Sequence, residues 1–490
     1  MTSVDRQFQR RAAVIPKLGL GLSVDVYSPD LWDLMKRLDA AAARPAYLEI
    51  FRAAPTVLKA VRQSFGGVPL AYHGEGLWVT QPEFRLSPLF EHELDGVALE
   101  LNALGSPWLN HECATKQMGG YSFGTYLPPL YTPESACLVA DNIGLVQERL
   151  DRDCAKADSF GPLFLLEMPP LTYFMAGTLG VAEYFRLIAE RTPCGLVLDI
   201  GHLWTVYRYS AARKHSSLEK FVDRFLDAFP VERIIEIHIA GLAVHESDTS
   251  GRVRDADPEW IDAHAAEIPA VSWAILEQVV AHPRLRNLRA LALEVDTKPV
   301  ERIVEEFQQA VALVRPVIDR VTKQGTAVSE SSSETLDGVG PALLSEFDRS
   351  RLEADYVRYA QIASGQRPPA GPSWNAVAEN PSGLERYVQD YLPHEILCWG
   401  GDIAAMFPQT CKALAEMGIE LGEFVPWWLR RSDAVDRPYD FFLLKIDRLL
   451  EFVAERAPVL SGLARSEAAT MRAAYEDANN AGRPLMESCP

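Results

Sequence analysis

A chain of 490 residues is longer than a single hydrophobic core supports, so at least two domains are expected. Hydrophobic residues make up 48% and charged residues 23%, the mix of a soluble globular protein, and a formal net charge of −19 speaks against a broad electrostatic footprint for nucleic acid or an anionic membrane. Seven cysteines, at 113, 137, 154, 194, 398, 411 and 489, form no CxxC pair, which fits the reduced thiols of a cytoplasmic protein better than a disulfide framework or a zinc ribbon. Lys17 interrupts the apolar stretch near the N-terminus, and no run of about eighteen apolar residues follows, so neither a signal peptide nor a membrane span is expected.

Taken in chain order, KLGLGLSVDV (17–26) reads as a first buried strand, followed by a helix over 28–43 with Ser28 as N-cap and Leu31, Leu34, Met35 and Leu38 on one face. The next apolar runs are AYLEI with Glu49, VPLAYH ending on His73 and PWLNHE with His111. A helix is expected over 132–154, with Thr132 as cap and Pro133 in its first turn. LFLLE then ends on Glu167, GLVLD on Asp199, IIEIH on His238 and LALE on Glu294, with helical periodicity over 181–192, 217–229, 272–283 and 305–323. Buried strands alternating with amphipathic helices are the pattern of parallel α/β architecture, and eight strands favour a closed (β/α)8 TIM barrel over an open sheet. Catalytic residues of such barrels gather at the C-terminal strand ends, where seven of these runs place a carboxylate or a histidine.

The barrel is therefore assigned to residues 1–323. QGTAVSESSSETLDGVG (324–340) reads as a Gly/Ser/acidic linker, and 341–490 as a separate, mostly helical domain, with helices over 342–365, 384–392, 402–418 and 439–457 and a turn-rich break at 366–375. Phe424, Trp427 and Trp428 form either a binding patch or, preferred, that domain's core.

A lone histidine at a strand end is more often a hydrogen-bonded structural residue than a ligand. The joint pattern differs, because several carboxylates at one barrel mouth without cations would cost on the order of several kcal/mol each. Asp199 and His202 stand three apart just beyond their strand, and Asp262-Ala263-His264 adds a second such pair from a loop. Imidazole and carboxylate together suit iron, manganese or zinc. Glu49 is set behind the ligands, bonding a histidine or the backbone. His92, His215, His245, His282 and His394 lie in helical or loop contexts and are read as structural.

The order His73 (LAYHGEGLW), His111 (LNHECA), Glu167 (LLEMPP), Asp199 and His202 (LVLDIGHLW), His238 (EIHIAG), Asp262 and His264 (DAH) and Glu294 (ALEVD) resembles the DUF692 family, the multinuclear non-heme iron-dependent oxidative enzymes of the methanobactin-biosynthesis type, over roughly residues 17–315. The resemblance implies a xylose-isomerase-like barrel holding two or three mixed-valence irons. It implies use of O2 to modify a residue, often cysteine, of a ribosomally made precursor peptide, usually with a partner protein presenting the peptide. Those nine residues would be the iron ligands: His73, His111 and Glu167 for one ion, Asp199, His202 and Glu294 for a second, and His238, Asp262 and His264 for a third. The chain departs from the family pattern in the Ile200-Gly201-His202 loop, where many members carry Asn, in lacking the frequent Thr of the DAH motif, and in its long polar segment 242–261.

Three readings stand at this point: the iron oxidase, a zinc or manganese barrel hydrolase or sugar isomerase, and a non-catalytic metal-stabilised scaffold. The charge disfavours DNA repair, and no Lys at a strand end supplies sugar acid–base chemistry. The Gly- and Tyr-rich loop 112–131 is read as a substrate lid or as an ordinary long connection. The helical tail is read as a fused peptide-recognition module replacing the partner, or as a structural or oligomerisation domain.

Overall fold

The computed structural model describes residues 2–87, 89–155, 159–210, 212–244, 260–323, 344–368, 381–430 and 439–481. All eight apolar runs are strands: β1 (Gly19–Val24), β2 (Leu48–Phe51), β3 (Leu70–His73), β4 (Trp108–Glu112), β7 (Leu163–Glu167), β8 (Gly195–Asp199), β9 (Ile234–Ile239) and β12 (Ala290–Glu294). They pair in parallel in the closed order β1-β12-β9-β8-β7-β4-β3-β2, the last strand returning to the first. Two antiparallel hairpins stand outside the barrel. One, β5 (Thr115–Met118) with β6 (Tyr121–Leu127), follows β4; the other, β10 (Leu242–Val244) with β11 (Trp260–Asp262), follows β9.

The barrel is parallel because helices return the chain to its bottom between successive strands. The helix Pro133–Asp153 begins as the sequence predicts, Thr132 Oγ1 accepting the Ser135 N–H at 3.3 Å. The helix expected from Ser28 begins later, at Leu31, with Asp30 as its cap, Oδ1 accepting the Asp33 N–H at 2.8 Å. Pro29 disfavours the helical region for Ser28, which moves the start past it.

The barrel floor is closed by a helix over Ser3–Val14, whose Phe8 and Ala12 are fully buried and pack with Tyr47, Trp108, Leu165 and Val197 inside the barrel. Arg289 fastens it by donating to the Ala12 carbonyl at 2.9 Å. Gly21 is required where Tyr47 crosses β1, because a Cβ there would overlap the Tyr47 ring.

Beyond residue 343 the described elements are helical, the longest being Glu346–Ala363, Phe441–Arg456 and Ser461–Ala481. The stretch expected as one helix over 402–418 breaks at Phe407 into Ile403–Met406 and Pro408–Glu416, because Pro408 cannot continue the hydrogen-bond ladder. The segment 384–392 passes through a π turn at Tyr387–Tyr391. These helices share buried side chains with the barrel's outer core, and Phe424, Trp427 and Trp428 are all buried. Tyr356 bonds Ser135 Oγ at 2.8 Å, and Trp428 Nε1 donates to the Ser122 carbonyl of β6 at 2.8 Å. The loop 112–131 is thus a hairpin held under the C-terminal helices, with Gly124 against the Phe441 ring. The linker 324–340 and residues 369–375 of the expected break lie outside the described residues.

Candidate metal centre at the barrel mouth

Each mouth residue owes its place to the strand pleat. On β4, Trp108 and Asn110 point into the barrel, and Glu112 follows with the same parity. On β7, Leu165 and Glu167 do so; on β8, Val197 and Asp199; on β9, Glu236 and His238; on β12, Ala292 and Glu294. Glu167, Asp199, His238 and Glu294 bring one ligand atom each within 4.8 Å of one another, all buried. His238 Nδ1 lies 3.2 Å from both Glu167 Oε1 and Glu294 Oε1. His73 Nε2 approaches the other Glu167 oxygen at 3.2 Å, and Asn110 Nδ2 donates to it at 2.7 Å.

A second group extends toward solvent. His202 Nε2 stands 3.4 Å from Asp262 Oδ2 and 3.8 Å from Asp199 Oδ1, while its Nδ1 is held by the Met168 carbonyl at 2.6 Å. His264 Nε2 is 3.4 Å from the same Asp262 oxygen and 3.5 Å from Glu294 Oε2. Its Nδ1 is held by Asp296 Oδ2 at 2.8 Å, the carboxylate–imidazole arrangement that fixes a ligating ring. His264 and Asp262 are the most open of the group, with side chains 27% and 19% exposed.

His111 is not brought into either group. It shares its side of β4 with Leu109, away from the barrel interior, its Nε2 accepts the Leu77 N–H at 3.1 Å, and its Nδ1 donates to the Glu112 carbonyl at 2.9 Å. Burial holds it well below the usual imidazole range, at about 4, so it is neutral. Its neighbour Glu112 faces inward instead, grouped with Glu167 and His202. Behind the mouth, Glu49 and Glu236 lie below His238, whose Nε2 is 3.1 Å from Glu49 Oε2 and 3.6 Å from Glu236 Oε2. Trp108 Nε1 holds Glu49 from the far side at 3.1 Å, and the Tyr47 hydroxyl donates to Glu236.

Sequence reasoning missed Asn110, Glu112, Glu236 and Asp296. Asn110 and Glu112 share one parity of PWLNHE and Leu109 and His111 the other, but the sequence carries no signal for which parity faces the interior, because the strand is buried throughout. The segment 245–259 of the expected long polar loop lies outside the described residues.

The electrostatics call for cations. Burial, with the nearby Glu294, Asp262 and Glu167 charges, pushes Asp199 up to about 7, and burial with Glu49 raises Glu236 to about 8. Burial and Glu167 likewise push Glu112 well above the usual carboxylate range. Burial opposes the charged form of His73, yet Glu167 lifts it to about 9; His238, His202 and His264 are likewise raised by the carboxylates around them. Asp199 Oδ2, Asp262 Oδ1, Glu294 Oε2 and Glu112 Oε2 are buried without a hydrogen-bond partner. Orphaned oxygens in a mixed imidazole–carboxylate set are what an ion satisfies, so the residues present fit first-row divalent metals.

The closed barrel and its ligand-rich mouth define the chain as a TIM-barrel protein with the scaffold of an enzyme. The family model described as RiPP precursor modification enzyme MbnB/TglH/ChrH matches residues 18–315, and the chain belongs to that family. It is similar to UPF0276 proteins of Anaeromyxobacter sp. (28% identity over 257 residues, 52% of this chain and 77% of the relative) and of Caulobacter vibrioides (27% over 256 residues, 52% and 78%). Among solved structures it is similar to endonuclease IV from Thermus thermophilus (TM-score 0.37, 18% identity, 62% of this chain and 99% of that one). D-psicose 3-epimerase from Clostridium cellulolyticum scores likewise (0.37, 12%, 61% and 99%). No helix among the described residues is long and apolar enough to cross a membrane.

Proposed function

We propose that this protein oxidatively modifies a residue, often cysteine in the family it belongs to, of a ribosomally made precursor peptide. Two or three iron ions would sit at the mouth, with O2 as co-substrate. The observation that carries this reading is the buried group Glu167, Asp199, His238 and Glu294, set in a chain of the precursor-modifying family. His238 with Glu167, Asp199 and Glu294 would hold one ion, and His202, Asp262 and His264 a second. His73 shares Glu167 with the first ion and would anchor a third, while Glu112, grouped with Glu167 and His202, would serve the second. His111 would reach an ion only by surrendering the Leu77 hydrogen bond, and its role is to fix the turn after β3.

Bound iron supplies the redox chemistry with O2 that no side chain here provides. The chain's own residues supply the rest. Asn110 holds one Glu167 oxygen, Asp296 orients His264, and the Met168 carbonyl fixes the His202 tautomer so that Nε2 faces Asp262. The buried walls exclude water from the reacting groups, while the His264–Asp262 side admits the substrate residue. The helices beyond residue 343 pin the β5–β6 hairpin, which supports a role for that region in presenting the peptide. The six described cysteines are free, in keeping with a reducing, cytoplasmic setting.

Anaerobic reconstitution with Fe(II), metal counting, Mössbauer spectroscopy and O2 uptake with a candidate precursor test the reading. Two or more irons per chain and peptide-dependent O2 uptake are expected. One zinc per chain with no iron bound sinks the oxidase and returns the hydrolase or isomerase reading.

A further inference from the structure

We propose that the cleft between the segment following β3 and the C-terminal helical region is a docking site for a peptide segment carrying a large apolar side chain next to a lysine or arginine. The inference rests on the peptide-modifying reading above and specifies which part of such a peptide this protein grips.

The cleft is open to solvent and has a cavity volume of about 60 Å³. Its walls are aromatic, from Trp78, Phe84, Phe90 and Tyr439, and Glu83 and Glu93 line it with carboxylates. The walls are fixed by their own contacts. Trp78 Nε1 donates to Gln117 Oε1 at 3.2 Å, and its ring meets Tyr439 edge-on at 5.3 Å. Phe84 and Phe90 meet edge-on at 4.9 Å, and Arg52 donates to the Tyr439 carbonyl at 3.1 Å. A small preformed aromatic pocket takes the end of one bulky side chain, its neighbours lying along the open rim. Gly76 lies in the lining with φ +99, and a Cβ there would come within 3.3 Å of Glu93 Oε2, so this wall is bare of side chain.

Charge selects the occupant. Neither Glu83 nor Glu93 is in an ion pair among the described residues, although Arg52, paired with Glu75, acts on Glu93 from a distance, and burial raises both above the usual carboxylate range. In a chain of net charge −19, an acidic segment would be repelled here, and a basic one would complete both carboxylates. Position sets the role. The cleft flanks β3 and β4, while the most open metal-site residues, Asp262 and His264, follow β9 on the opposite side of the barrel. The cleft therefore holds a part of the peptide away from the residue that reacts.

Fluorescence anisotropy on the metal-loaded full chain tests this with three labelled synthetic peptides: one Phe flanked by lysines, the same Phe flanked by glutamates, and the lysine peptide with Phe replaced by Gly. The lysine-flanked Phe peptide is expected to bind at least about tenfold tighter than either other peptide. The preference should vanish in the Glu83→Gln/Glu93→Gln double variant, and all binding should fall in Gly76→Leu. Equal affinity for the three peptides, or a preference surviving the double variant, overturns the proposal. So does self-association of the chain that the double variant abolishes in place of peptide binding. The readout is binding without turnover, so absence of iron or of O2 uptake would defeat the proposed function and leave this result standing.

Discussion

His111 and His238 show how differently two strand-end histidines are used. His238 faces four carboxylates, with Glu167 and Glu294 above and Glu49 and Glu236 below, whereas His111 spends both nitrogens on backbone groups. His238→Ala and Glu167→Gln are therefore expected to lose at least one bound metal per chain by elemental analysis. His111→Ala keeps its metals but strands the buried Leu77 N–H, at a cost of about 1–3 kcal/mol in denaturant unfolding. Equal metal loss in His111→Ala and His238→Ala would place His111 among the ligands after all. Asp296→Asn weakens the hold on the His264 ring, and a roughly 10–100-fold loss of affinity for the outer metal is expected in a competitive titration.

Legibility in the sequence changed with the type of element. All eight barrel strands were readable, because a parallel strand buried on both faces is a continuous apolar run with a polar end. That same property hid the pleat: with both faces buried, PWLNHE carries no hydrophobic alternation to say whether His111 or its neighbours look inward. Glu236 was hidden for the same reason, inside a run that reads as wholly apolar apart from it. Asp296 was hidden by distance, since its partner His264 is 32 residues away. The β5–β6 hairpin was visible only as a Gly- and Tyr-rich loop, because what orders it comes from far along the chain. Gly124 sits at φ +71, where an added Cβ would overlap the Phe441 ring. Gly124→Val is expected to destabilise the chain by roughly 1–3 kcal/mol or more and to open the hairpin to limited proteolysis. Unchanged cleavage and stability would show that the hairpin is not held this way.

At the scale of the whole molecule, buried residues from Leu20 to Ala468 form one contiguous apolar cluster spanning barrel and C-terminal helices. A chain ended at residue 323 would expose the partners of Tyr356, Tyr359 and Trp428, and is expected to be aggregated or to bind a hydrophobic dye strongly. Metal should act on this whole unit: ions that bind only the folded mouth add about 4 kcal/mol at a free concentration a thousand times their Kd. Chelation is thus expected to lower the melting temperature of the entire chain in one transition, and a chelated protein that melts unchanged would argue against metals at the mouth.

The helix that seals the barrel floor packs the lower interior shut and leaves the mouth as the approach to the buried carboxylates and histidines. Whatever binds there must come and go past the same rim, so a bulky occupant seated on it stands in the path of anything smaller. Order of arrival then becomes a property of the architecture: a small molecule must reach the buried carboxylates and histidines before a large one covers the rim.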